Sequence, residues 1–161
     1  MVPPIPTHEV KSLDDDLILG FRFGVFFFTE GKIPNVLDTR FRKVSGISAE
    51  VRTSTIQEGG ENIRSHVLPD GVDYKPLVLE RGLPKMSILS ADFEKAMEQF
   101  RFIPTNVLVT SLGDTGLPVA GWMFMNAWPV RWSVSDLDAT SHEISIETLE
   151  LTYSRMQKMR I

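Results

Sequence analysis

The sequence contains no cysteine, which excludes disulfides, thiolate metal sites and thiol nucleophiles. Histidine is scarce. His8, His66 and His142 lie far apart and carry no metal-ligand spacing. There is no G-x-S-x-G nucleophile elbow, and the pair Gly59-Gly60 lacks the Lys-Ser/Thr of a phosphate loop. Glu58 and Glu61 beside it fall short of the oxygen count that calcium requires. Long apolar runs are missing too: Leu17 to Phe28 is interrupted by Gly20, Arg22 and Gly24 and is too short to span a bilayer. The opening Met1-Val2-Pro3-Pro4-Ile5-Pro6 has neither the basic start nor the apolar stretch of a signal peptide. Excess positive charge is also lacking. Seventeen basic against 21 acidic residues give a net charge of −4, which weighs against a duplex-DNA binder. The expectation is a protein with no catalytic, cofactor or metal site.

What is present is a globular composition. The chain has 161 residues, 42% hydrophobic and 24% charged, enough for one domain with its own core. Residues 1–16 read as an arm, because prolines remove backbone donors and Asp14-Asp15-Asp16 resists burial. Residues 17–161 read as a single β-domain. Phe21, Phe23, Val25 and Phe27 share one face at period two. Residues 31–39 form a loop. Ile47, Val51, Thr53 and Thr55 alternate with Ser48, Glu50, Arg52 and Ser54. The turn Glu58-Gly59-Gly60-Glu61 then leads to a returning strand from Ile63 to Leu68, closed by Pro69-Asp70-Gly71.

Leu77, Val78 and Leu79 form a short strand before Gly82. The stripe Leu89, Phe93, Ala96, Met97 and Phe100 predicts one helix, at about residues 90–101, with Ser90 as N-cap and acids Asp92 and Glu94 in its first turn. Strands follow at Val107–Leu112, Trp122–Met125 and Trp128–Val134. In the last strand Ile144 and Ile146 take one phase and Leu149, Leu151 and Tyr153 the other, which predicts a bulge near Glu147-Thr148. Many short strands, one helix and regular turn signals make the fold mainly β, a sandwich or barrel. Trp122, Trp128 and Trp132 are read as structural core residues. The alternative is an aromatic platform on a soluble sandwich that binds a glycan or peptide.

Several segments together resemble the tail tube proteins of contractile phages, R-type bacteriocins and extracellular contractile injection systems, whose fold type VI secretion tubes share. These are Phe21-Arg22-Phe23-Gly24-Val25, Phe41-Arg42-Lys43-Val44-Ser45-Gly46-Ile47, Glu58-Gly59-Gly60-Glu61-Asn62 and Leu77-Val78-Leu79-Glu80-Arg81-Gly82. Asn126-Ala127-Trp128-Pro129-Val130-Arg131-Trp132 and Ile146-Glu147-Thr148-Leu149-Glu150-Leu151 complete the set in the expected order. The resemblance implies a β-sandwich with a flanking helix, hexameric rings whose strands join into an inter-subunit β-barrel, and helical stacking of rings. It implies as partners the chain itself, a contractile sheath, a baseplate hub or spike, a tube terminator or cap, and cargo in the lumen. It also implies assembly in the bacterial cytoplasm and membership of a phage-tail-like particle, outside the cell after release. The long arm before Phe21 and the extra residues 154–161 fit an alternative role, a tube-initiator ring joining the hub to the bulk tube.

Within that frame, Ser48, Glu50, Arg52 and Ser54, with Arg64 and His66, are expected to face the lumen, while Ile47, Val51, Ile63 and Val67 pack toward the sandwich. The acids Asp14, Asp15 and Asp16 and the bases Arg40, Arg42 and Lys43 are candidate ring-to-ring contacts, as are Glu58 and Glu61. The presence of both signs in one chain favours stacking of like rings. Gly59 and Gly60 are required by the turn. A Gly60→Val variant is expected to lose about 1–2 kcal/mol and to disturb hairpin register, read by chemical denaturation and by the yield of assembled particles.

Overall fold

The structure, a computed structural model, describes residues 22–28, 40–56, 65–140 and 142–160. The arm 1–16, the loop 31–39 and the turn with Glu58, Gly59, Gly60, Glu61 and Arg64 lie outside the described residues. The element order is β1 (Phe23–Phe28), β2 (Lys43–Ser45), β3 (Ala49–Ile56), β4 (His66–Tyr74), β5 (Leu77–Gly82), α1 (Ile88–Glu98), β6 (Thr105–Leu112), β7 (Pro118–Val134), β8 (Ile146–Thr152) and β9 (Arg155–Arg160). All pairings are antiparallel.

The period-two pattern of the first strand is realised directly. Val25 is fully buried and Phe23 and Phe27 pack against the core, with Val25 opposite Val109 and Phe27 opposite Val107. The strands run in the order β1-β6-β7-β8-β5-β2, with β9 on the other side of β7. Strand β7 is the member common to both halves. Its first part pairs with β6 and β9, its second with β8. One core cluster takes Val25, Val107, Val109 and Phe124 from the first half and Leu77, Leu79, Leu149 and Leu151 from the second. The sheet is thus folded over its own interior.

Where the sequence predicts two strands, Trp122–Met125 and Trp128–Val134, there is one of 17 residues. The connecting residue is Asn126, which takes φ 53, a left-handed conformation that asparagine tolerates better than most side chains. Its N–H is held by the Asn106 side-chain oxygen at 3.1 Å and its own amide donates to Ser154 Oγ at 3.1 Å. The register against β6 slips by one residue at this point, so Asn126 is the bulge that turns β7 from one half to the other.

Three further expectations are corrected. The helix begins at Ile88 with Ser87 as N-cap, its Oγ accepting from the Ser90 N–H, so Asp92 and Glu94 lie beyond the first turn. The helix ends at Glu98. Phe100 lies past it at φ 49 and is 85% exposed, so it is not part of the buried stripe that Phe93 anchors. Pro69-Asp70-Gly71 does not close a strand. β4 runs through it to Tyr74, and a register shift opposite Arg52/Thr53 absorbs Asp70. Pro69 is tolerated because, among the described residues, β4 pairs only with β3, leaving one strand edge with no ladder to supply.

β2 and β3, and likewise β4 and β5, are successive segments of one long ribbon that bends where Gly46 meets Pro76. Gly46 has φ +85, and a Cβ there would collide with the Pro76 carbonyl oxygen. Gly46→Ala is therefore expected to lower stability by at least about 1–3 kcal/mol, measured as a shift of the urea midpoint with unchanged slope.

Candidate assembly interface

Two features define the candidate interface: a buried polar clamp between β5, β8 and the start of α1, and a separate exposed hairpin. In β8 the buried phase is continuous: Glu147, Leu149, Leu151 and Tyr153 all point inward. No bulge occurs near Glu147-Thr148 on this strand, because the buried residue that precedes Leu149 is Glu147 itself and Ile144 is 77% exposed outside the strand. Glu147 is fully buried, and directly across from it in β5 lies Arg81, 5% exposed. Arg81 Nε donates to Glu147 Oε2 at 2.7 Å, and its Nη2 donates to Ser87 Oγ at 2.7 Å and Ser90 Oγ at 2.8 Å. Ser90 Oγ and Trp132 Nε1 both donate to Glu147 Oε1, at 2.6 Å and 2.8 Å. The Arg81 guanidinium also lies over the Phe41 ring, 5.2 Å from its centre.

This arrangement ties the first turn of α1 to two adjacent strands. Burial alone would raise the Glu147 carboxyl. The hydrogen bonds from Ser90, Trp132 and Arg81, together with the Arg81 charge, outweigh it and hold the carboxyl below its ordinary value. A negative charge at the helix N-terminus is favourable and offsets the cost of placing Arg81 there. Sequence reasoning missed this clamp. The signal available was an Arg and a Glu each on the buried phase of an apolar alternation, Leu77-x-Leu79-x-Arg81 and Glu147-x-Leu149-x-Leu151.

The three tryptophans are less buried than core residues. Trp122 packs against the core, Trp132 is 39% exposed and tethered by its indole N–H to Glu147, and Trp128 is 37% exposed with Phe102 5.4 Å from it. Their separate attachments do not form a common platform.

The hairpin β3–β4 is a two-stranded sheet of its own. Every residue of β3 is exposed. Its register places Glu50, Arg52 and Ser54 on one face, with His66 opposite Ile56 on that same face. Val51, opposite Val72, and Thr55, opposite Val67, occupy the other. The expected packing of Val51 and Val67 toward the sandwich does not occur within the chain. They are 57% and 58% exposed, because the sandwich does not extend beneath the hairpin. Ile47, before the bend, does pack against the core, whereas Ile63 is outside the described residues. Ser48 is half-buried, and its hydroxyl has no hydrogen-bond partner among the described residues. Arg52 donates to Asp70 at 3.0 Å and to Asp73 at 3.3 Å. Tyr74 at the hairpin root lies 5.4 Å from Tyr153, whose hydroxyl is pushed up by burial and by Tyr74. Of the candidate ring contacts, Arg40 and Arg42 are exposed, while Lys43 is already paired with Glu80 at 2.9 Å. Asp14, Asp15 and Asp16 lie outside the described residues.

Glu147→Gln leaves Arg81 buried without a counter-charge and is expected to cost about 3–5 kcal/mol in denaturant titrations. The folded-state carboxyl is depressed, so its contribution is complete above the ordinary value of 4.5 and is lost as pH falls through the lower folded value. Wild type should therefore lose stability below that pH in a step that Glu147→Gln lacks, measured by urea midpoints across acid pH.

Residues 19–157 match the family described as T4-like virus tail tube protein gp19. Among curated proteins no significant match is found. Among solved structures, a chain of the anti-feeding prophage (AFP) baseplate, 6-fold symmetrised, is 38% identical with TM-score 0.80, covering 88% of this chain and 95% of that one. A chain of the sheath–tube complex of PVC, an extracellular contractile injection system in its extended state, is 21% identical with TM-score 0.75, covering 90% and 93%. Hcp1 from Flavobacterium johnsoniae shares the fold at 13% identity and TM-score 0.51, covering 86% and 94%. With the family match spanning both halves of the sandwich and the projecting hairpin, the chain belongs to the T4-like virus tail tube protein family, as a structural subunit of the inner tube of a contractile injection system.

Proposed function

We propose that the chain forms a hexameric ring at the baseplate end of such a tube, the initiator position, and has no enzymatic activity. The observation that carries this is the gap in identity: 38% to a chain within a baseplate, 21% to a chain within a sheath–tube complex, at similar coverage. The presence of both charge signs had favoured stacking of like rings, but Lys43, one of the bases in that argument, is engaged within the chain by Glu80. An initiator ring has unlike neighbours, a hub or spike on one side and tube rings on the other, with sheath outside. Terminator or cap proteins act at the far end, and cargo travels inside. Assembly takes place in the bacterial cytoplasm before the particle is released.

The hairpin supports a role in the tube wall. It offers one face of Glu50, Arg52, Ser54 and His66 to a wet lumen and one face of valines to a neighbouring subunit. The tryptophans give no support to a glycan- or peptide-binding module, since Trp132 is committed to Glu147 and Trp122 to the core.

Negative-stain electron microscopy of the purified chain, alone and with a bulk tube protein of the same particle, tests the reading. Hexameric rings that do not stack on one another, but carry a tube of the second protein on one side, are expected. Long rods of the chain alone would identify a bulk tube subunit, and a monomer at all concentrations would exclude the ring.

A further inference from the structure

The β3–β4 hairpin and the edge strand β9 carry opposite charge. On the hairpin, Glu50 lies directly across from Asp73, a like-charge pair that disfavours the ribbon, and Asp70 adds a third carboxylate. Arg52 serves both aspartates and leaves Glu50 without an ion-pair partner among the described residues. These four side chains sum to two net negative charges. At the other extreme, β9 reads Arg-Met-Gln-Lys-Met-Arg, with three cations and no acid. Arg155, Lys158 and Arg160 are exposed, and among the described residues none is ion-paired and β9 is bonded only to β7, which leaves its outer edge open there. Lys158 and Arg160 are two residues apart and project on the same face, opposite Trp122 and Ala120.

We propose that β9 is the docking strand for the β3–β4 hairpin of the next copy in the ring, the carboxylates of Glu50, Asp70 and Asp73 meeting Lys158 and Arg160. The inference rests on the ring reading given above. A closed ring is a heterologous assembly in which one surface of each copy meets a different surface of the next, so two unlike, complementary patches are required on one chain. A two-stranded hairpin is marginal in water and gains stability from a further strand along its edge. Basic side chains on an open edge also keep two β9 strands from pairing with each other. The same charges that forbid the wrong partner attract the acidic one and fix its register.

The test uses two charge-reversed forms of the full chain, Lys158→Glu/Arg160→Glu and Glu50→Lys/Asp73→Lys, each verified as folded by circular dichroism and melting. Ring formation is followed by mass photometry. Each form alone should need at least roughly tenfold more protein than wild type to form rings. An equimolar mixture should restore wild-type behaviour, since each form then meets opposite charge on both sides. Unaltered assembly of either form alone overturns the pairing. So does failure of the mixture, which would assign β9 to some other anionic partner. If a reversal unfolds the chain, the neutral pair Lys158→Gln/Arg160→Gln and a salt series replace it. Wild-type rings indifferent to salt between about 0.05 and 0.5 M would then overturn the pairing. Absence of wild-type rings sinks the ring reading itself, whereas rings insensitive to charge sink only the strand pairing.

Discussion

The ion pair between Arg81 and Glu147 sets the geometry on which the rest of the fold depends. Both side chains point into the sandwich from directly opposed positions on neighbouring strands. Neither could be buried alone. A lone carboxylate or guanidinium in that interior would be far more costly than the pair, and the pair itself is tolerable only because each remaining polar atom finds a partner. Ser87 and Ser90 supply those partners from the helix and Trp132 supplies one from β7. A hydrophobic pair could hold the same volume without specifying direction. The ionic one ties the first turn of α1, through Ser87 and Ser90, and β7, through Trp132, to the same point.

The hairpin lies at the opposite extreme of order. Its register is well defined by cross-strand partners, yet almost nothing of it is buried within its own chain. Its aliphatic face, Val51, Val67 and Val72, is half exposed, so its contribution to folding is smaller than that of the buried core residues. A molecule built this way separates two tasks. The sandwich and its clamp hold the packed core, and the ribbon bent at Gly46 carries the surface that the proposed ring would cover.

Most of the architecture was legible because it rests on alternation. Phe23, Val25 and Phe27, and Leu149, Leu151 and Tyr153, announce their buried face by period alone. The helix was legible from Leu89, Phe93, Ala96 and Met97, but its start was displaced because two nearby serines can each serve as cap, and it is Ser87 whose Oγ accepts from a helix N–H while Ser90 Oγ turns to Glu147. The clamp itself was hidden for one reason. A pattern that sorts residues into apolar-in and polar-out must misfile a charge whose partner lies 66 residues away, and Glu147 was accordingly taken as a break in phase. Pro69-Asp70-Gly71 misled in the same way, since turn chemistry is local and the absence of a neighbouring strand that makes Pro69 harmless is not. The shared face of Glu50, Arg52, Ser54 and His66 was readable, whereas the exposure of Val51 and Val67 was not, because periodicity tells which side chains are apolar but not whether anything lies beneath them.

Strand β7 has a mechanical consequence. At about 3.3 Å per residue its 17 residues extend for roughly 55 Å, bonded on one flank or the other along most of that length. A force applied along such a strand loads many transverse hydrogen bonds at once, so rupture requires them to shear together, whereas a pull across the strand would open them one by one. The subunit is consequently anisotropic: stiff along the β7 direction and weaker at right angles to it, with Asn126 a joint at which the strut changes direction.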